Sequence, residues 1–538
     1  MTHRVRRLVV VLLVAGLPAA AAAQAPVSYR LSFPEPEQHW MQVEVSFDEI
    51  PAGPLELRMS RSSPGRYALH DFAANILDVR ITGAAGASLA VTRPAPYQWT
   101  VTGHTGRARA TYRIAGDRLD GTYLAIDSTH AHINMPAALL WARGFEQRPV
   151  TVRFEPPAGA RWRVGTQLMP GPDALTYTAP NFQYLMDSPA EFSAFGLRTF
   201  TVDKAPGAPL FRLAVHHTGT GQQLDAFAAD VVRIVRESRN VFGDFPAFDG
   251  NTYTFIADYL PGARGDGMEH RNSTVVTSPG SIRANRLELL DTISHEFFHV
   301  WNVERIRPRS LEPFNFEDAN VSGELWFAEG FTSYYGPLLL LRAGVARLAG
   351  FASEITSMVN TVRNSPGRAI RSAEEMSKLA PLVDGAAVMD PASFQNTYVS
   401  YYTWGAAIAL GLDLTLRERS RGRVTLDHYM RALWEAYGRP GGKAPGYVDR
   451  PYTMADLRST LASVSGDAAF ASDFFARFIQ GREVVDYERL LPRFGFVLRP
   501  VRAGAIEIIP VEQAGRPLAA EQRRLRDAWL SSAARNTF

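Results

Sequence analysis

The segment "DTISHEFFHVWNVERIRP", Asp291 to Pro308, places two histidines four residues apart with a glutamate directly after the first. If Leu287 to Trp301 is one helix, His295 and His299 lie on one face a turn apart, and both imidazoles can reach a single ion. A zinc site that hydrolyses takes three protein ligands and keeps an open position for water. The chain contains no cysteine, so any metal must be held by His, Asp or Glu. The same absence excludes disulfides, cysteine nucleophiles and lipid attachment at a cysteine.

The third ligand is sought downstream, in "ELWFAEGFTSYYG", Glu324 to Gly336. Glu329 sits in an aromatic and apolar helical run, where a carboxylate is costly to bury unless something pairs with it. The intervening "RPRSLEPFNFEDANVSG" has the composition of a loop that turns the chain back, so the second helix can face the first. Glu324 is the competing candidate, but it precedes the aromatic run. The plainer alternative for Glu329 is an exposed acid on an amphipathic helix.

Around this motif the 538-residue chain divides by pattern. Residues 1–23 carry Arg4, Arg6 and Arg7, an apolar run from Leu8 to Leu17, and small residues ending at Ala23, the pattern of a cleaved secretory signal peptide. No later segment approaches the roughly 20 apolar residues of a membrane helix. Losing those three arginines takes the net charge from +3 to zero, which recommends neither nucleic acid nor anionic membrane as a partner. Residues 24–205 alternate short apolar runs with turns, as in "HWMQVEVSFDEI" and "RARATYRIAG", and read as a β-rich N-terminal domain. A helical stripe then follows in Leu224, Phe227, Val231, Ile234 and Val235. Strands are expected at "YTFIADYL" and "STVVTS", and long apolar helices beyond Glu324. The expected organisation is multidomain α+β: a catalytic domain over 206–345, a helical domain over 346–482, and a tail over 483–538.

"HEFFHVWNVERIRP" followed by "LWFAEGFTSYY" resembles the glycyl aminopeptidase family of gluzincin zinc metallopeptidases. "SPGRYALHDFAANI" at Ser63–Ile76, "NFQYLMDSPAEFSAF" at Asn181–Phe195, "GDGMEHRNSTVV" at Gly265–Val276 and "SYYTWGAAIALGLDL" at Ser400–Leu414 resemble family signatures in family order. Several motifs in order are far more specific than one pentapeptide. The resemblance implies a thermolysin-like catalytic domain, with His295, His299 and Glu329 as zinc ligands and Glu296 as the group that takes a proton from the metal-bound water. Adjacent helical residues point about 100° apart, so Glu296 cannot easily share its neighbours' ion, yet it can reach the water.

Further roles follow from the same resemblance. Tyr402 aligns with a tyrosine that stabilises the oxyanion, although Trp404 stands where related enzymes usually have lysine and Tyr401 competes for the role. "GMEH", Gly267 to His270, resembles the segment that binds a free N-terminus: Glu269 faces the α-ammonium group, and Gly267 and Met268 lie beside it. Its alternative is an exposed acid on a sheet edge, and His270 replaces the commoner asparagine. Arg305 and Arg307 are either carboxylate anchors or part of a solvated face. Many members carry a C-terminal PDZ module; with only Val501–Phe538 after "GREVVDYERLLPRFGFVLRP", no complete one is expected.

The resulting expectation is a secreted or periplasmic zinc aminopeptidase that removes small residues, glycine or alanine, from peptides with a free N-terminus. It needs no nucleic acid and no membrane insertion after signal cleavage. A zinc endopeptidase and a non-hydrolytic zinc-containing binding protein are the alternatives.

Overall fold

The computed structural model describes residues 24–383, 394, 396–442, 444–502 and 504–532. The signal peptide expected over residues 1–23 lies outside the described residues. The alternating segments of the N-terminal half form three sheets, of seven, four and four strands. In the strand Trp40–Phe47, Met41, Val43, Val45 and Phe47 point inward and are buried while the intervening residues stay partly accessible, as the two-residue side-chain period requires. These inward faces build one hydrophobic core of their own.

A second sheet system follows. Its strands are β1 (Gly196–Phe200), β2 (Leu210–His217), β3 (Thr252–Tyr259), β4 (Asp266–His270) and β5 (Ser273–Ser278), in the order β1-β2-β3-β5-β4. β2, β3 and β5 run parallel, and the antiparallel β4 forms the edge. The first strand thus comes from ahead of position 206. Helix α1 (Gly221–Phe242) makes the crossover between β2 and β3. Thr220 and Gln223 form a reciprocal capping box at its start, and Gly243 ends it at φ 99°. Its predicted stripe, Leu224 to Val235, is buried against the sheet.

Helix α2 (Arg286–Phe298) carries the first histidine of the motif and ends three residues before the expected Trp301. His299 is its C-cap and keeps a helical conformation, so the four-residue spacing still brings the two rings together. Helices α3 (Leu325–Arg342) and α4 (Tyr401–Ser420) then cross at two glycines. A Cβ on Gly330 would lie 2.3 Å from the Gly405 Cα, and one on Gly405 would lie 1.9 Å from the Trp326 carbonyl oxygen. Only backbone fits there. This contact fixes Tyr401 and Tyr402, one turn before Gly405, near Glu329, which immediately precedes Gly330.

The sheet, these helices and the later helices share a single continuous core. The tail docks on it as a two-stranded hairpin (Phe496–Arg502 with Ala505–Pro510) and a helix (Ala520–Leu530). Trp529 is fully buried there, and its indole N–H donates to the Tyr334 hydroxyl at 2.8 Å. No helix among the described residues is long and apolar enough to cross a membrane.

Candidate metal centre and its cleft

The spacing of α2 and the turn that follows it bring His295, His299 and Glu329 together. His295 Nε2 and His299 Nε2 are 3.1 Å apart, and Glu329 Oε2 lies 3.2 Å from the second and 3.6 Å from the first. Four ligands about 2.0–2.1 Å from a tetrahedral zinc are roughly 3.3 Å from one another, so these three donors sit at the edges such an ion requires. The His299 Nδ1–H donates to the Asn302 carbonyl oxygen at 2.5 Å, which leaves Nε2 with its lone pair facing the other two donors. Asn302 itself donates to the Phe327 and Ala328 carbonyls and so ties the turn after α2 to the start of α3. Burial alone would raise the Glu329 carboxyl; the two imidazoles instead hold it well below the usual carboxylate range. His299 is pushed up to about 10 against its own burial, chiefly by Glu329 and Glu269. Positive charge is what the cluster demands, and a divalent cation satisfies that demand by displacing the proton.

Side-chain exposure divides the three. His299 and Glu329 are 1% and 2% accessible, whereas His295 is 20% accessible. Glu324, the competing ligand, is half-buried outside the cluster, where it accepts from Ser322 and Ser310.

Glu296 is buried next to these donors, and its Oε2 has no hydrogen-bond partner among the described residues. Burial pushes its carboxyl well above the ordinary range; His299 opposes this, while Glu269 and Glu329 add to it. Gly267 explains how it fits. A Cβ at Gly267 would lie 2.1 Å from Glu296 Oε1, so only glycine lets the carboxylate lie against the edge strand β4.

Glu269, two residues further along β4, is also buried rather than exposed on the edge. One donor atom from each of Glu269, Glu296 and His299 lies within 4.8 Å of the others. Burial raises the Glu269 carboxyl to about 7, with His299 opposing and Glu329 and Glu304 reinforcing. It lines a cavity of about 40 Å³ together with Tyr67, Asp187, Glu304 and Arg307. Met268 points the other way. Its fully buried side chain packs beneath Gly121 and its sulfur accepts from the Thr122 hydroxyl at 3.8 Å, so the structure gives it a packing position and no part of the cavity wall.

Of the two candidate tyrosines, Tyr402 lines an open cleft of about 570 Å³, with its ring 6.3 Å from that of His295. Tyr401 is buried edge-on against Tyr67. The two arginines also separate. Arg305 is buried and donates to the Arg271 and Val300 carbonyls and to Asn272 Oδ1, a structural brace whose guanidinium is lowered to about 9 by burial and by Arg271. Arg307 lines the small cavity and is already paired with Glu304 and Glu312, each at 2.9 Å.

What the sequence reading did not assign is the contribution of the N-terminal half. The Tyr67 hydroxyl donates to Glu329 Oε1 at 2.6 Å, holding the carboxylate oxygen that does not face the histidines. Arg66 pairs with Asp266, and Asp187 accepts from His270 Nδ1 at 2.9 Å, which accounts for a histidine at that position. Gly65, at φ +75°, comes so close that a Cβ there would lie 2.8 Å from Glu269 Oε2. The signal was present in "SPGRY" and "YLMDS", which carried the resemblance but no role.

Residues 28–194 match the family described as Peptidase M61 N-terminal domain, and residues 288–408 match M61 glycyl aminopeptidase. The chain belongs to the M61 glycyl aminopeptidase family. It is accordingly an enzyme, a zinc-dependent metallopeptidase of the aminopeptidase type. No curated protein matches it at a significant level. Among solved structures, it is similar in fold to an aminopeptidase N family protein from Idiomarina loihiensis, with a TM-score of 0.79 and 23% identity over 88% of this chain and 79% of that one. An M1 zinc metallopeptidase mutant from Deinococcus radiodurans, bound to a Tyr-Ser-Ala substrate, aligns with a TM-score of 0.50 and 14% identity over 86% of this chain and 95% of that one.

Proposed function

We propose that this M61 family member is an exported aminopeptidase that releases small N-terminal residues, glycine or alanine, from peptides. The observation that carries the reading is Glu269: a buried carboxylate in a cavity of about 40 Å³, with a donor atom within 4.8 Å of those of Glu296 and His299. A cavity of that size holds a few water-sized groups, enough for an ammonium and a small side chain. Asp187 and Glu304 line the same cavity, so with Glu269 three carboxylates face the one guanidinium of Arg307 and the balance suits a cation. Export is supported by the leader-like pattern of residues 1–23.

His295, His299 and Glu329 are the residues that would hold zinc. A zinc ion there supplies Lewis acidity, lowering the pKa of a coordinated water to about 7 and polarising the carbonyl. The protein side chains do the rest. Glu269 anchors the substrate ammonium and so sets the scissile bond one residue away. Glu296, with Oε2 unpartnered, accepts the proton of the attacking water and delivers it to the leaving amine. The Tyr402 hydroxyl, on the cleft side of His295, donates to the oxyanion.

The test is a cleavage profile on a peptide library with free N-termini, each peptide paired with its N-acetylated form. We expect release of one residue, fastest for glycine and alanine, and loss of cleavage on acetylation. Equal internal cleavage of blocked peptides would make the protein an endopeptidase. Recovery of the chain from the cytoplasm with residues 1–23 intact would refute export.

A further inference from the structure

A second histidine–carboxylate cluster lies away from the cleft, between the two halves of the molecule. His132 and Glu191 stand directly opposite each other on the neighbouring strands His130–Ile133 and Ala190–Ser193 of an N-terminal four-stranded sheet. His216 and Asp258 stand opposite each other on β2 and β3 of the catalytic sheet. The two pairs meet face to face. His132 Nδ1 is 3.0 Å from Asp258 Oδ2, and His216 Nδ1 is 3.6 Å from Glu191 Oε1 and 3.9 Å from Asp258 Oδ1. One donor atom from each of His132, Glu191 and Asp258 falls within 4.8 Å of the others.

Each of those three residues is 0% accessible. Even so, both ring nitrogens of His132, both carboxylate oxygens of Glu191, both of Asp258 and Nδ1 of His216 make no hydrogen bond of acceptable geometry. The 3.0 Å approach of His132 to Asp258 is close but misaligned, as expected of two lone pairs converging on a third body rather than of a donor meeting an acceptor. No lysine or arginine pairs with either carboxylate among the described residues. The remaining nearby charges are His130 and Asp127, which pair with each other at 3.2 Å, His130 stacking edge-on to His216 at 4.8 Å. Orphaned buried polar atoms each cost on the order of 1–3 kcal/mol, more when charged, so seven in one place imply a common partner.

We propose that this cluster is a second, structural zinc site, with His132, Glu191 and Asp258 as ligands and His216 completing the tetrahedron. Two imidazoles and two carboxylates suit zinc, whereas calcium takes six to eight oxygens and magnesium retains waters in an octahedral shell. Four protein donor atoms, all enclosed although the His216 ring is 19% accessible, are the arrangement of a structural rather than a catalytic ion. Its ligands come in equal number from the two sheets, so the ion bolts the N-terminal domain to the catalytic sheet.

The experiment counts zinc in protein loaded with zinc chloride and desalted. Wild type should retain about two ions per chain, and Glu329→Ala about one, the ion it keeps being that of the buried cluster. Asp258→Ala should also retain about one while cleaving peptides at an undiminished rate per folded molecule. Zinc-edge anomalous scattering from a crystal of the wild type should give a peak between the two sheets. Wild type with about one ion and Glu329→Ala with none, or an anomalous peak confined to His295, His299 and Glu329, would overturn the proposal. These two readings stand even if Asp258→Ala fails to fold.

Discussion

The two histidine–carboxylate clusters use the same donor chemistry in opposite settings. One takes its histidines from a single helix and opens on one side, where His295 is 20% accessible. The other takes each donor from a different strand; three of its members are wholly enclosed, and the fourth, His216, is 19% accessible but has an enclosed Nδ1. In the first, an additional acid, Glu296, lies beside the donors with an unused oxygen. In the second, every nearby acid is either a candidate ligand or, like Asp127, paired with a histidine. A spare proton acceptor is what separates a site able to turn over substrate from one able only to hold two sheets together.

Replacing the spare acid tests that contrast most severely. Glu296→Gln should keep its metal and its fold while kcat falls by about 10²–10⁴; wild-type turnover in this variant would remove the distinction. Next comes Glu269→Ala, where loss of a charge-assisted hydrogen bond worth about 1.5–3 kcal/mol should lower kcat/KM for free-amine dipeptides roughly 10–150-fold. N-acetylated peptides should be no worse for the variant than for wild type, and an equal loss on both would strip Glu269 of its ammonium role.

A third substitution asks whether the N-terminal half also tunes the open cluster. Tyr67→Phe removes the donor to Glu329 Oε1 and should weaken metal retention about 10–100-fold in chelator competition. Unchanged affinity would leave Tyr67 a packing residue.

The smallest effect concerns Asp291, one turn before His295 on α2. Its Oδ1 is enclosed without a hydrogen bond, and the charge that acts on it, Glu354, is of like sign. Burial, and then Glu354, raises its carboxyl to about 7. The folded state therefore holds this proton more tightly than the unfolded chain, whose Asp titrates near about 3.9. Its contribution is intact at acid pH and is lost as pH rises through about 7. Asp291→Asn should accordingly raise Tm by roughly 2–4 °C at pH 8 and change it little at pH 4. An equal shift at both pH values would contradict the assignment.

How much of each cluster can be read from the sequence follows from the same difference. His295 and His299 are legible because a helix brings residues four apart together, and that is a local rule. Glu329 is legible because an acid inside an aromatic run needs a partner. His132, Glu191, His216 and Asp258 are scattered over more than a hundred residues on four strands, and pairing between distant strands leaves no fixed spacing to find. "HAHI", with two histidines on one face of a strand, was the available hint. The fold behaves likewise: the stripe of α1 and the strands β3 and β5 were evident from periodicity, whereas the entry of Tyr67 into the catalytic core depends on a contact 262 residues apart.

The glycine crossing of α3 and α4 also sets a timetable. Chains emerge from the ribosome N-terminus first, at about 5–20 residues per second. Tyr67 is made early, the helix bearing both histidines well after it, and Gly405 later still. Until Gly405 and the turn carrying Tyr402 have been synthesised, α3 has no backbone to lie against at Gly330. The crossing that positions Tyr401 and Tyr402 therefore closes only in the last quarter of the chain's synthesis.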